Sequence, residues 1–324
     1  MDKFYFLTHQ NTNPYFNLAS EEYLLKHKTG YYMYLWINEP AVIVGVNQNA
    51  IEEVNLNFVQ DNGIKVVRRM TGGGAVYHDL NNLCYTVIAP NNPTENAYKE
   101  FSRPVVEYLN SIGIKAEFSG RNDLTIDGKK ISGNAQTVYK DRILHHGTLL
   151  FDTDLNVLEK ALNPNKLKMQ SKGIKSVRSR VTDIKSNLKK DMSLKEFRLG
   201  LEQFFLKNAE KIEFTNQDIC QIEKLVKDKY STYDWNIRYS PKGQNVLEKK
   251  FDFGVLKITF DTIQGQMQNV NITGDFFELK DVKEFINSLN GIDFTLEQLK
   301  KSFANVNEYI SGANGEQIVS ALFE

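Results

Sequence analysis

The sequence predicts an α+β fold in two unequal parts. Short apolar or β-branched runs of strand length alternate with capped helical segments through most of the chain. A polar stretch, Ser240-Pro241-Lys242-Gly243-Gln244-Asn245, then reads as a linker. Beyond it, two strand-like runs precede three helices, the order of a small α+β module. At 324 residues the chain has room for one large domain and a smaller one. Its 41% hydrophobic and 25% charged residues are ordinary for a globular protein. Forty basic residues balance forty acidic ones, which removes any global electrostatic drive toward nucleic acid or an anionic membrane. Only two cysteines occur, Cys84 and Cys220, which excludes a disulfide framework and a cysteine-based zinc site. The apolar part of the N-terminus is too short for a signal peptide, and no window approaches the ~20 apolar residues of a membrane span. The expectation is a cytoplasmic monomer.

Taken in order, Phe4 to Leu7 reads as a strand, and Asn13-Pro14 opens a helix as cap and first residue. Tyr31–Ile37 and Ala41–Val46 are apolar runs joined by Asn38-Glu39-Pro40, which reads as a hairpin. A helix from Leu56 to Asp61 leads into the run Lys65-Val66-Val67. Leu83 to Ala89 reads as a buried strand with Cys84 as a small core residue. A helix follows from Glu95 to Leu109. Asp127-Gly128 is a two-residue hairpin signal, so Lys130 begins a return strand. Ile143 to Leu150 is a further strand, on which His145 and His146 point to opposite faces. Lys166 to Lys190 is strongly basic. Ser193 and Thr215 open helices, the second with an apolar stripe of Ile219, Ile222, Leu225 and Val226, and Tyr233–Asn236 reads as an aromatic corner. Strands at Gly254–Phe260 and Met267–Ile272 and helices at Val282–Leu289, Thr295–Phe303 and Gly315–Leu322 complete the accessory module.

One stretch carries most of the functional signal: Arg68-Arg69-Met70-Thr71-Gly72-Gly73-Gly74-Ala75-Val76-Tyr77-His78-Asp79. Glycine allows positive φ and close approach of a ligand to the main chain. Successive N–H groups in such a turn form an anion-binding concavity, and the twin arginines add fixed positive charge. A second cluster combines Asn122-Asp123 with Lys130 and the small residues Ser132, Gly133 and Asn134. No Walker-type loop and no glycine fingerprint opening a helix occurs. Positive charge around a backbone cradle suits reactions that build charge on phosphate and carboxylate oxygens, adenylation of a carboxylic acid among them.

These motifs, with His145-His146-Gly147-Thr148 and Lys172-Gly173-Ile174-Lys175-Ser176-Val177-Arg178-Ser179-Arg180-Val181, resemble the lipoate–protein ligase A family of the biotin/lipoate protein ligase superfamily in order and spacing. The resemblance covers nearly the whole chain, and Gly274-Asp275-Phe276-Phe277 resembles that family's accessory domain. It implies a biotin/lipoate ligase-like catalytic domain of mixed sheets flanked by helices at residues 1–243, with the accessory domain at 244–324. It implies that lipoate and ATP with Mg2+ give lipoyl-AMP and pyrophosphate. The lipoyl group then passes to a lysine of an apo lipoyl domain, on a 2-oxoacid dehydrogenase E2 subunit or the glycine-cleavage H protein. By motif, Lys130 is the catalytic residue and touches both nucleotide and acyl group. Arg69, Gly74, Ala75, Val76, Tyr77, Ser176, Val177 and Arg178 would hold the nucleotide. Thr71, Gly72, Gly73, His78, Ser132, Gly133 and His146 would contact lipoate. Asp123 would bind the magnesium or orient Lys130. The basic loop from Lys172 suits an acidic lipoyl domain. Val46 replaces an arginine common in the family, which leaves acyl preference, octanoate included, open. Two other readings stand beside this one: an ATP-independent octanoyl or lipoyl transferase acting through a cysteine, and a non-catalytic lipoate-binding regulator.

Overall fold

A computed structural model describes residues 3–91, 97–120, 122–162, 181–207, 209–239, 243–274, 276 and 279–323. Eight strands form one mixed sheet in the order β11-β1-β2-β6-β10-β9-β8-β7. They are β1 (Phe4–Thr8), β2 (Tyr31–Ile37), β6 (Asn82–Pro90), β7 (Ala116–Ser119), β8 (Asp123–Ile126), β9 (Lys129–Tyr139), β10 (Arg142–Leu150) and β11 (Glu210–Glu213). β1 is parallel to β2 and β11, and the remaining neighbours are antiparallel. A second sheet sets β3 (Ala41–Val44) between β4 (Lys65–Arg68) and β5 (Val76–His78). The segments read as a hairpin, β2 and β3, therefore lie in different sheets: Asn38-Glu39-Pro40 carries the chain from one layer to the other.

Side-chain alternation assigns the two faces of the large sheet. Leu35, Leu83, Tyr85 and Leu149 pack under α4 (Ala97–Ser111) and α6 (Leu194–Leu206). Tyr34, Trp36, Cys84, Ile88 and Leu144 pack against α1 (Pro14–His27) and Ile222 of α7 (Asn216–Leu225). The small sheet lies beyond α1, with Ala41, Ile43 and Val67 facing it. Sandwiched between two sheets, α1 buries eleven residues and shows almost no amphipathic stripe, as expected of a core helix. Asn13 caps it, its side chain accepting from the Tyr15 N–H, with Pro14 at the first position.

Short helices α2 (Ala50–Glu53), α3 (Leu56–Asp61) and α5 (Leu155–Ala161) border the small sheet. Of the stripe expected on α7, Ile222 is buried but Ile219 is exposed, because only one flank of the helix meets α1. The chain then winds through two π-helical turns, Val226–Tyr230 and Asp234–Arg238. The accessory module has three strands rather than two: β12 (Gly243–Phe251), β13 (Gly254–Ile263) and β14 (Gln266–Gly274). Half of the expected linker is thus the start of β12, whose residues do not alternate in polarity: Val246 is exposed while Lys249 lies on the half-buried face with Leu247 and Phe251. Helices α8 (Val282–Leu289), α9 (Leu296–Phe303) and α10 (Gly315–Leu322) complete it, with Thr295 and Asn314 capping the last two. Among the described residues no helix is long and apolar enough to cross a membrane.

Candidate active site

A cavity of about 160 Å³ opens between the large sheet, α1 and the small sheet. Leu18, Trp36, Ile43 and Cys84 line its apolar part, each nearly inaccessible to water. Gly73, Gly74 and Lys130 line its mouth, where the glycines are exposed.

One wall is the glycine turn between β4 and β5. Successive residues there diverge, so the two arginines have different tasks. Arg68 is fully buried and points away from the cavity. Its guanidinium donates to the carbonyls of Gly45, Val46, Gln48, Trp235 and Asn236. The expectation of twin arginines around an anion is corrected accordingly: Arg68 fastens the Gly45–Gln48 turn to the aromatic corner. Arg69 does line the cavity, but donates to Thr71 Oγ1 and the carbonyls of Ile43, Gly72 and Gly74 at 2.7–3.0 Å. With those carbonyls turned toward Arg69, the turn is braced from within. Burial lowers Arg69 to about 10, while the Glu21 charge opposes that shift. Gly73 has φ +98°, and a Cβ on Gly45 would lie 2.2 Å from the Gly73 carbonyl oxygen, so both positions require glycine. Val46 N–H donates to the Thr71 carbonyl, so the position where the family often carries arginine is tied here by its backbone.

Behind this wall, Thr71 Oγ1 lies 2.8 Å from His146 Nε2, and His146 Nδ1 lies 2.9 Å from Glu21 Oε1. His146 reaches the cavity; Thr71 stands one layer back. His78 also lines the cavity and accepts at Nδ1 from Asn38 Nδ2 (3.0 Å). Burial, with Arg69 and His146 nearby, holds it neutral with a pKa of about 3. His145 points to the opposite face as expected, among Tyr85, Tyr98 and Phe101, and burial takes it to about 3 as well.

The opposite wall is the β8–β9 hairpin. Asp127 (φ 48°) and Gly128 (φ 75°) make its turn. Lys130 Nζ pairs with Asp123 Oδ1 at 2.8 Å, both side chains 37% exposed. A Cβ on Gly133 would come 2.8 Å from that ammonium, so the glycine makes room for it. Asn122 and Asn134 clasp each other: Asn122 Nδ2 donates to the Asn134 carbonyl, and Asn134 Nδ2 and N–H donate to the Asn122 carbonyl. Tyr85 Oη donates to Asn134 Oδ1 from below. On the far side, Thr182 N–H donates to the Lys130 carbonyl.

Of the residues singled out in the sequence, the cavity brings together Arg69, Gly73, Gly74, Ala75, Val76, His78, Asn122, Lys130, Gly133, Asn134, His146, Gly147 and Thr148. Thr71, Gly72, Tyr77, Asp123 and Ser132 do not line it. Ser132 is fully buried, on the face of β9 opposite the cavity, where Asn134 Nδ2 reaches its hydroxyl. Tyr77 turns into the core shared with the accessory module. Ser176, Val177 and Arg178 lie outside the described residues. Sequence reasoning missed Leu18, Trp36, Ile43 and Glu21, because core-type residues carry no chemical signature and adjacent glutamates on a helix read as a solvated face. Cys84 is buried as expected and also lines the cavity; burial pushes its thiol well above the usual range. Cys220 is exposed on α7.

Fold and cavity define a larger domain with an apolar pocket beside an anion-type backbone cradle, followed by a smaller module. Residues 13–206 match the family model for the lipoyl protein ligase A/B catalytic domain, and residues 240–322 match that for the bacterial lipoate protein ligase C-terminus. The chain is 39% identical to lipoate-protein ligase LplJ of Bacillus subtilis, covering 98% of this chain and 99% of that one. Among solved structures, the bipartite lipoate protein ligase of Thermoplasma acidophilum, described with its E2 lipoyl domain, is similar (TM-score 0.65, 30% identity, 73% of this chain and 96% of that one). So is a lipoate-protein ligase A bound with ATP (TM-score 0.63, 28% identity, 73% and 99%). The chain belongs to the lipoate–protein ligase family.

Proposed function

We propose that this protein is an ATP-dependent lipoate–protein ligase working in lipoate salvage. Lipoate's carboxylate attacks the α-phosphorus of ATP, giving lipoyl-AMP and pyrophosphate. The ε-amino group of an acceptor lysine then attacks the acyl carbon, forming an amide and releasing AMP. The observation that carries this reading is the placement of Lys130 at the mouth of an apolar cavity, facing a braced glycine turn. The cavity suits an acyl chain whose carboxylate ends near the ammonium. Backbone N–H groups of Gly73 to Val76 suit phosphate oxygens, with the Arg69 charge beneath them rather than in direct forked contact. Lys130 stabilises charge on the α-phosphate in the first step and on the acyl oxygen in the second.

Asp123, through its ion pair, acts as the residue that orients Lys130. Among the described residues no group of three His, Cys, Asp or Glu side chains could hold a metal. Magnesium arriving on a nucleotide needs only one or two protein carboxylates, and the second oxygen of Asp123 fits that need. When bound, the ion would neutralise charge on the departing pyrophosphate. Residues 1–243 carry the chemistry and 244–324 the accessory role. Acceptors are apo lipoyl domains of E2 subunits or an H protein, and the enzyme works as a monomer in the cytoplasm.

ATP–pyrophosphate exchange tests the proposal. Exchange that depends on lipoate, and collapses in Lys130→Ala, is expected. Acyl transfer from an acylated donor without ATP would overturn it and move attention to Cys84 and Cys220.

A further inference from the structure

Glu21 takes no part in the chemistry above and does not line the cavity, yet two branches of hydrogen bonds converge on its carboxylate. In one, His146 Nδ1 contacts Glu21 Oε1 and Oε2 at 2.9 and 3.0 Å. Thr71 Oγ1 reaches His146 Nε2 at 2.8 Å, and Arg69 Nε reaches Thr71 Oγ1 at 2.9 Å. In the other, Thr86 Oγ1 donates to Glu21 Oε1 at 2.6 Å, and Trp36 Nε1 donates to Thr86 Oγ1 at 2.8 Å. Glu21, Arg69, Thr71, Thr86 and His146 are all buried, so bulk water does not substitute for any link.

An ionised carboxylate only accepts. Opposite such an acceptor, a neutral His146 places its proton on Nδ1, which leaves Nε2 to accept from the Thr71 hydroxyl. Thr71 then offers its lone pairs to Arg69 Nε–H. Arg69 in turn donates to the Gly72 and Gly74 carbonyls, which turns the N–H groups of the cradle outward. No carboxylate touches Arg69 directly among the described residues, and the Glu21 charge acts on it across Thr71 and His146. Such an arrangement fixes direction as well as distance, which a lone arginine on a flexible turn does not.

We infer that Glu21 is a positioning residue for the nucleotide: through His146 and Thr71 it holds Arg69, and with it the Gly72–Gly74 cradle, in the orientation that receives phosphate. The inference rests on the ligase reading, which makes that cradle the nucleotide site. The Trp36 branch ties the acyl side of the cavity to the same carboxylate.

Glu21→Gln is nearly isosteric but offers an N–H beside its C=O, so the relay loses its single direction. In lipoate-dependent ATP–pyrophosphate exchange, KM for ATP is expected to rise roughly tenfold, the loss of about one charge-assisted hydrogen bond, while KM for lipoate moves less than about threefold. Long-range 1H–15N spectra are expected to show His146 solely as the Nδ1–H tautomer in the wild type, and mixed or inverted in Glu21→Gln. Thr71→Val interrupts the same relay without touching α1. The double variant should be no worse than the poorer single one, since both break one chain. Unchanged KM for ATP with an unchanged tautomer, or fully multiplicative effects in the double variant, would overturn the inference. If Glu21→Gln does not fold, Thr71→Val still reads the relay by the same KM split and tautomer. Failure of wild-type exchange refutes the ligase reading instead, while the tautomer spectra continue to report on the relay.

Discussion

The two walls of the cavity are built on opposite principles. The glycine-turn wall is braced from behind by two buried arginines, whose guanidinium groups donate at least nine hydrogen bonds to protein acceptors among the described residues. The hairpin wall presents one half-exposed lysine held by one half-exposed aspartate. A preformed cradle meets a group that is free to follow the reaction. The contrast suits a two-step reaction, in which phosphate must be received in one geometry while charge migrates from phosphorus to acyl oxygen.

Substitutions on the two walls should therefore fail differently. Lys130→Ala should reduce adenylation by about 10²–10³-fold, the loss typical of one preorganised donor to a developing charge, with a melting temperature close to wild type. Equal losses of stability and activity would place Lys130 in the scaffold instead. Arg68→Ala should do the reverse, leaving five carbonyls without their donor at a cost of roughly 3 kcal/mol or more, read as a lower melting temperature and a disordered Gly45–Gln48 turn. Retained stability would show that water replaces the guanidinium, and the contrast between walls would dissolve.

Acid should attack the buried side next. Burial lowers His78 and His145 from 6.5 to about 3 and His9 to about 4. Below pH 6.5 the unfolded chain binds protons that the folded chain refuses. Their contribution to stability is therefore complete above 6.5 and lost as pH falls from there toward 3 for His78 and His145 and toward 4 for His9, by about 1.4 kcal/mol for each of His78 and His145 at about pH 5.5. Melting curves between pH 7.5 and 5 check this; a flat profile would mean that these imidazoles already share protons in the fold. The smallest effect belongs to Asp123→Asn. An ion pair this exposed is worth at most about 1 kcal/mol, so kcat should fall only a few-fold, with stability unchanged. A loss as large as that of Lys130→Ala would make Asp123 a direct ligand of substrate or metal.

Much of this site could be read in the residues because turns carry chemical signatures. Asp127-Gly128 located the hairpin and hence Lys130; the glycine run located the cradle; strand parity separated His145 from His146. What escaped was set by long-range packing. Nothing local distinguishes Arg68 from Arg69, since the difference is made by Trp235 and Asn236, over 160 positions away. Glu21 beside Glu22 looks solvated until both sheets close over α1. The same holds for β2 and β3, whose apolar runs are compatible with one sheet or two.

The small sheet has two faces with two owners. One side, Ile43 and Val67, belongs to the core around α1. The other, Val42, Val44 and Tyr77, shares a single apolar cluster with Leu256, Phe260, Phe285 and Phe303 of the accessory module. A cut before β12 would strip an oily lid from the back of the catalytic fragment. Expressed alone, that fragment should be a poorly soluble product that needs its other half supplied in the same cell.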